Sequence, residues 1–154
     1  MNGNPVQRPV DILLVEDNPG DVRLAREALR EAGLPHRLSV AGDGDAMLAF
    51  LRRERADFKD APRPDLILLD LNLPGRGGLE LLAEIKADPA LRQIPVVILS
   101  MSKADKDIQA AYQGNANCYI CKPIDFAHFI EVMRGIATFW FGLVQLPSRQ
   151  GGYG

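Results

Sequence analysis

"PDLILLDLNLPG" (residues 64–75) decides the fold. Leu66 to Leu69 are apolar at every position. A strand with one wet face alternates apolar and polar residues, so an unbroken run reads as a strand covered on both faces. The run ends in Asp70 and is followed by the turn residues Pro74 and Gly75. A carboxylate at the end of so apolar a segment is costly to desolvate unless something pairs with it or uses it.

Working outward, the same kind of run recurs. "VDILLVE" (10–16), "RLSVA" (37–41), "IPVVILS" (94–100) and "NCYIC" (117–121) are the other strand candidates. Helix-period segments alternate with them. The first runs from about residue 21 to 32, with Val22, Ala25, Leu29 and Ala32 as its apolar stripe and Gly33 as its stop. Others are expected at 45–53, 78–88, 106–112 and 125–144, and residues 53–64 form a long polar, proline-containing loop. Alternating strands and helices with apolar strands predict a doubly wound α/β domain. Its sheet has five parallel strands in the flavodoxin-like order 2-1-3-4-5, with helices on both faces. The domain is expected to span residues 10–144, between a flexible N-terminus (1–9) and a flexible tail (145–154).

Composition narrows the function classes. Of 154 residues, 47% are hydrophobic and 25% charged, as in globular proteins. A net charge of −2 gives no basic footprint for nucleic acid or an anionic membrane. The opening "MNGNPVQRPV" lacks the apolar core of a signal peptide, and "GIATFWFGLV" is too short to span a bilayer. A cytoplasmic protein is expected. Cys118 and Cys121 form a C-x-x-C pair, but on a strand an odd offset points them to opposite faces. They are therefore expected as buried small hydrophobes and not as a redox centre. His36 and His128 are isolated from any metal-ligand pattern.

Ligands of open α/β sheets bind beyond the carboxyl ends of the strands. There the sequence places Glu16 and Asp17, Asp70, Ser100 and Lys122. Singly, each has an ordinary reading: a helix cap, a turn, a strand-end hydroxyl, a solvated charge. Together they put three carboxylates on one rim, which repel unless a cation neutralises them. An all-oxygen acidic cluster suits a hard cation such as Mg²⁺, which shares its coordination with phosphate. Phosphoryl transfer uses such a set: Asp70 as nucleophile, with Lys122 and Ser100 to hold the product oxygens.

The motifs "LLVEDN", "LILLDLNLPG", "VVILS" and "YICKP", in this order and spacing, resemble the receiver domain of two-component response regulators. The resemblance covers about residues 10–144. It implies that Asp70 is the phosphoacceptor and that Glu16, Asp17, Asp70 and the backbone carbonyl of Asn72 bind Mg²⁺. It further implies Ser100 as switch hydroxyl, Tyr119 as aromatic switch residue, Lys122 as phosphate-pairing lysine, and a cis Lys122–Pro123 peptide. Two positions depart from the family pattern. Glu16 replaces the commoner Asp, and Met101 stands where a small residue is usual, so that its bulk is expected to screen the phosphoryl group. The long loop before "RPDLILLDLNLPG" and the "FW…LP" ending are similar to single-domain regulators paired with phytochrome histidine kinases. The expectation is a switch phosphorylated by a sensor histidine kinase, signalling through a protein contact because no DNA-binding segment follows.

Two other classes use related folds. A haloacid dehalogenase-type phosphatase needs D-x-D, whereas Asp70-Leu71-Asn72 lacks the second acid. A flavin carrier needs a glycine- and hydroxyl-rich phosphate loop after the first strand, where this chain has the acidic "EDNPGD". A switch, and not an enzyme, is the better reading.

The last helix carries two apolar lines: Phe126, Ile130, Met133, Ala137, Trp140 and Val144, and Phe129, Val132, Ile136, Phe139 and Leu143. One line suffices to cover a sheet. The surplus predicts a homodimer through this helix, with Phe139, Trp140 and Phe141 as anchors.

Overall fold

The structure, a computed structural model, describes residues 9–33, 35–122 and 125–139. The apolar runs form β1 (Val10–Val15), β2 (His36–Ala41), β3 (Leu66–Asp70), β4 (Val96–Ser100) and β5 (Cys118–Cys121). All neighbouring strands are parallel, in the order β2-β1-β3-β4-β5 expected from the sequence. Between and after them lie α1 (Pro19–Glu31), α2 (Gly44–Arg52), α3 (Gly78–Ala87), α4 (Asp105–Gln113) and α5 (Phe126–Ala137).

Side-chain alternation divides the core in two. Leu13, Val15, Ile67, Leu69, Val96 and Ile98 face Met47 and Leu51 of α2, Leu81, Leu82 and Ile85 of α3, and Ala111 of α4. Ile12, Leu14, Leu66, Leu68, Val97 and Leu99 face Ala25, Ala28 and Leu29 of α1 and Phe129, Met133 and Ile136 of α5. Each apolar run thus feeds both cores, which is why it does not alternate.

Local chemistry sets the helix starts. The Asn18 side chain accepts hydrogen bonds from the N–H groups of Gly20 and Asp21, and Pro19 takes the first helical position. Helix α1 therefore begins before Asp21, where the sequence pattern had placed its start. Asp43 and Asp125 cap α2 and α5 in the same way. At the far end of the sheet, buried Asp11 receives a two-pronged ion pair from Arg37, at 2.8 Å for each bond.

Several expectations are corrected. The buried ridge of α1 is Ala25, Ala28 and Leu29; Val22 packs half-buried against the same core, and Ala32 is half-buried because it lies past the last helical residue as the C-cap. Residues 53–64 are not all loop: Ala56–Phe58 form a 3₁₀ turn whose Phe58 ring meets Phe50 edge-on at 5.4 Å. Cys118 and Cys121 do lie on opposite faces and are unpaired, but both are half-buried and not buried, because β5 is an edge strand. In α5 the buried ridge is Phe129, Met133 and Ile136, which draws on both expected lines, while Phe126 is exposed. Of the two terminal segments expected to be flexible, residues 1–8 and 145–154 lie outside the described residues, as do Pro123 of the Lys122–Pro123 peptide and Trp140, Phe141, Leu143 and Val144.

Candidate functional site

The rim above β1, β3 and β5 gathers charges that are far apart in sequence. Lys122 follows β5, and its ammonium donates to Glu16 Oε1 at 2.5 Å, Asp21 Oδ2 at 3.1 Å and Asp70 Oδ2 at 3.3 Å. Glu16 and Asp70 are buried, and the Lys122 side chain is nearly so. One oxygen each of Glu16, Asp17 and Asp70 lies within 4.8 Å of the others, with Asp17 exposed at the edge of the group.

Backbone placement fixes these side chains. Asp70 Oδ1 accepts from the N–H of Asn72 at 3.0 Å, and Glu16 Oε2 accepts from the N–H of Asn18 at 3.2 Å. Helix α3 begins hard against the end of β3. The N–H of Gly78 donates to Leu71 O, and a Cβ on Gly78 would stand 2.6 Å from Asp70 O and 2.7 Å from Leu71 Cα. Only glycine permits that approach. Arg76 pins the intervening loop through ion pairs with Glu84, Glu80 and Asp45.

Three carboxylates contact the one ammonium and Asp17 lies beside two of them, so the rim keeps surplus negative charge. Burial is the main reason the Glu16 carboxyl is pushed up to about 7, and the neighbouring Asp70 adds to the rise while Lys122 opposes it. For Lys122, burial alone would lower the ammonium. The hydrogen bond to Glu16, the charges of Asp70 and Glu16, and the bond to Asp21 outweigh it and raise the pKa above the ordinary lysine value. The donor set is all oxygen and carries excess negative charge, which fits a hard divalent cation.

Ser100 closes β4 and is fully buried. Its parity matches Val96 and Ile98, so it belongs to the α4 face, whereas Asp70 shares parity with Leu66 and Leu68 on the α1/α5 face. Its Oγ accepts from the N–H of Ser102 at 3.0 Å. Tyr119, on the same α4 face, donates its hydroxyl to Ser102 O at 2.9 Å. Met101 is 62% exposed on the loop after Ser100. Phe139 is 52% exposed and lies just past the end of α5.

Glu16, Asp17, Asp70 and Lys122 therefore converge as the sequence pattern implied, with Asn72 holding Asp70 through its amide. Two participants were missed. Asp21 was legible as an acidic residue in the first turn of α1, but its contact with Lys122 depends on where that helix starts. Ser102 is an ordinary loop serine whose contacts on both sides appear only in three dimensions.

Comparison with known proteins gives a consistent picture. The family model described as the response regulator receiver domain matches residues 12–134. Response regulator Rcp1 of Synechocystis sp. (strain PCC 6803) is 44% identical over 140 residues, covering 91% of this chain and 95% of that protein. Among solved structures, the phosphorylated cyanobacterial phytochrome response regulator RcpA superposes with a TM-score of 0.86 at 46% identity, covering 92% of this chain and 100% of that one. The Mn²⁺-bound form of Rcp1 gives a TM-score of 0.84 at 44% identity, covering 91% of this chain and 100% of that one.

Proposed function

The chain belongs to the response regulator receiver domain family, and from that premise we propose that Asp70 is its phosphoacceptor and that a sensor histidine kinase of the phytochrome type is its donor. The observation that carries this reading is the Lys122 ammonium bridging Asp70 and Glu16 beside Asp17 at the strand rim.

In the transfer, an Asp70 carboxylate oxygen attacks the phosphorus of a phosphohistidine and forms the new O–P bond. The P–N bond breaks, and the imidazole departs neutral when its other ring nitrogen carries a proton. Lys122 already touches Asp70 Oδ2, so its ammonium stands ready for an oxygen of the acquired phosphoryl group. Glu16, Asp17, Asp70 and the Asn72 carbonyl are the groups that would hold Mg²⁺, whose chemistry when bound is neutralisation of charge on the transferring phosphoryl group. Ser100 is the hydroxyl that would donate to the product once it turns from the Ser102 amide, and Tyr119 would follow the loop that Ser100 leaves. The output is a protein contact on the face that carries α4 and β5, in the cytoplasm. No described helix is long and apolar enough to cross a membrane. A homodimer through the C-terminal helix completes the reading, supported by the exposure of Phe126 and Phe139.

The test is incubation with acetyl phosphate or a phosphorylated kinase in Mg²⁺. One hydroxylamine-labile phosphoryl group is expected per chain, and none in Asp70→Asn. Wild-type incorporation by that variant would refute the assignment.

A further inference from the structure

Ser102 is tied on all sides, and the ties link Ser100 to α4. Its N–H donates to Ser100 Oγ at 3.0 Å, and its carbonyl accepts from Tyr119 Oη at 2.9 Å and from Cys121 Sγ at 3.6 Å. Its own hydroxyl donates to Asp107 Oδ2 at 2.5 Å and accepts from the N–H of Ala104 at 3.2 Å. Asp107 stands in the first turn of α4. The short, charge-assisted bond from Ser102 to Asp107 is the strongest kind among these.

A phosphoryl group on Asp70 would bring about two negative charges and three acceptor oxygens to the rim. Ser100 is the adjacent hydroxyl, but in this arrangement its oxygen serves the Ser102 amide on the α4 face. For Ser100 to turn toward Asp70, the Ser102 amide must lose its acceptor or move with the loop. Asp107 resists that movement by holding the Ser102 hydroxyl.

We propose that Asp107 and Ser102 are positioning residues that latch the Ser100 hydroxyl in its unphosphorylated arrangement and so limit the rate at which Asp70 takes a phosphoryl group. This rests on the reading of Asp70 as phosphoacceptor. If phosphorylation proceeds from the fraction of molecules in which Ser100 is released, weakening the latch raises that fraction and the rate with it.

The experiment measures the rate of Asp70 phosphorylation by acetyl phosphate in saturating Mg²⁺. Asp107→Ala and Ser102→Ala are expected to react about threefold to tenfold faster than wild type, the range a partly exposed charge-assisted hydrogen bond supports. The milder Asp107→Asn, which keeps an oxygen acceptor without its charge, is expected to fall between. The double variant should be no faster than the faster single one, because both break the same bond. The decisive arm repeats Asp107→Ala in a Ser100→Ala background, where the latch has nothing to hold and the acceleration should vanish. Unchanged rates in the single variants, or an equal acceleration without the Ser100 hydroxyl, would overturn the proposal. A wild-type protein that takes up no phosphoryl group would instead overturn the reading of Asp70, and the latch with it.

Discussion

Lys122 Nζ lies 3.3 Å from Asp70 Oδ2, across 52 positions of sequence, and the same ammonium is closer still to Glu16. Parallel pairing of β3 with β4 and of β4 with β5 carries the two residues to one rim. The lysine thus acts as an internal counter-ion for an acidic cluster that also fits a divalent cation. That dual role leads to the first prediction.

Lys122→Met should destabilise the metal-free protein by about 2–4 kcal/mol, because it leaves buried carboxylates without their partner. Added Mg²⁺ should restore part of the loss, since a bound cation replaces the missing charge. Urea denaturation with and without Mg²⁺ measures both effects. Equal destabilisation in the two conditions would show that no cation binds among these carboxylates.

Metal binding should depend more on Asp17 than on Glu16. Asp17 is exposed and lies within the carboxylate group, while Glu16 Oε1 is engaged by Lys122. Asp17→Asn is expected to weaken Mg²⁺ about tenfold or more, and Glu16→Gln less. Isothermal titration with Mg²⁺ and Mn²⁺ provides the comparison, and an unaltered affinity in Asp17→Asn would rule out this ligand set.

Gly78→Ala should cost about 1–3 kcal/mol, because its Cβ would collide with backbone that cannot rotate aside. The strain falls on Asp70 O and Leu71 Cα, so phosphoryl uptake at Asp70 should slow as well. Gly77→Ala is the control, since a Cβ there meets nothing within 4 Å. Thermal melting and acetyl phosphate labelling of the two variants test the contrast.

The start of α5 carries a pH-sensitive contact. His128 Nδ1 lies 2.7 Å from Asp125 Oδ2, and this hydrogen bond raises the imidazole above its ordinary value of 6.5. The backbone N–H of His128, followed by its ring, lowers Asp125 below 3.8. The histidine's contribution to stability is fully present below 6.5 and lost as pH rises through its raised folded value. The aspartate's contribution is present above 3.8 and lost as pH falls through its lowered one. Both groups are solvent-exposed, so the readout is titration and not unfolding. In an NMR pH titration, Asp125→Asn should move His128 back toward 6.5. An unchanged midpoint would mean the contact does not persist in solution.

Light scattering at roughly 50 μM, where specific micromolar dimers persist, should report a dimer. A Phe139→Glu/Trp140→Glu double variant should be monomeric. The motivation is the exposure of Phe126 at the start of α5 and of Phe139 just past its end, while the buried ridge of that helix already covers the sheet. A monomeric wild type would discard the homodimer and leave those rings to a different partner.

The run from Leu66 to Asp70 was sufficient by itself to identify a strand buried on both faces, and its recurrence gave the parallel sheet. These are local properties, because burial on two faces demands an apolar side chain at every position. The rim residues Glu16, Asp17, Asp70, Ser100 and Lys122 were legible for a related reason: in this topology a residue ending a strand has its place on the rim dictated by the strand alone. Contacts that depend on the rotation of a helix or the path of a loop were not legible. Asp21 reaches Lys122 because Pro19 starts α1 early, and α5 buries Phe129, Met133 and Ile136 because packing beside α1 chose the ridge. The partner of Ser100 is the clearest case. Its hydroxyl could be read as available from the sequence, but strand parity sets it on the α4 face, where its oxygen accepts from the Ser102 amide, and the tie from Ser102 on to Asp107 of α4 depends on a loop path that no local pattern encodes.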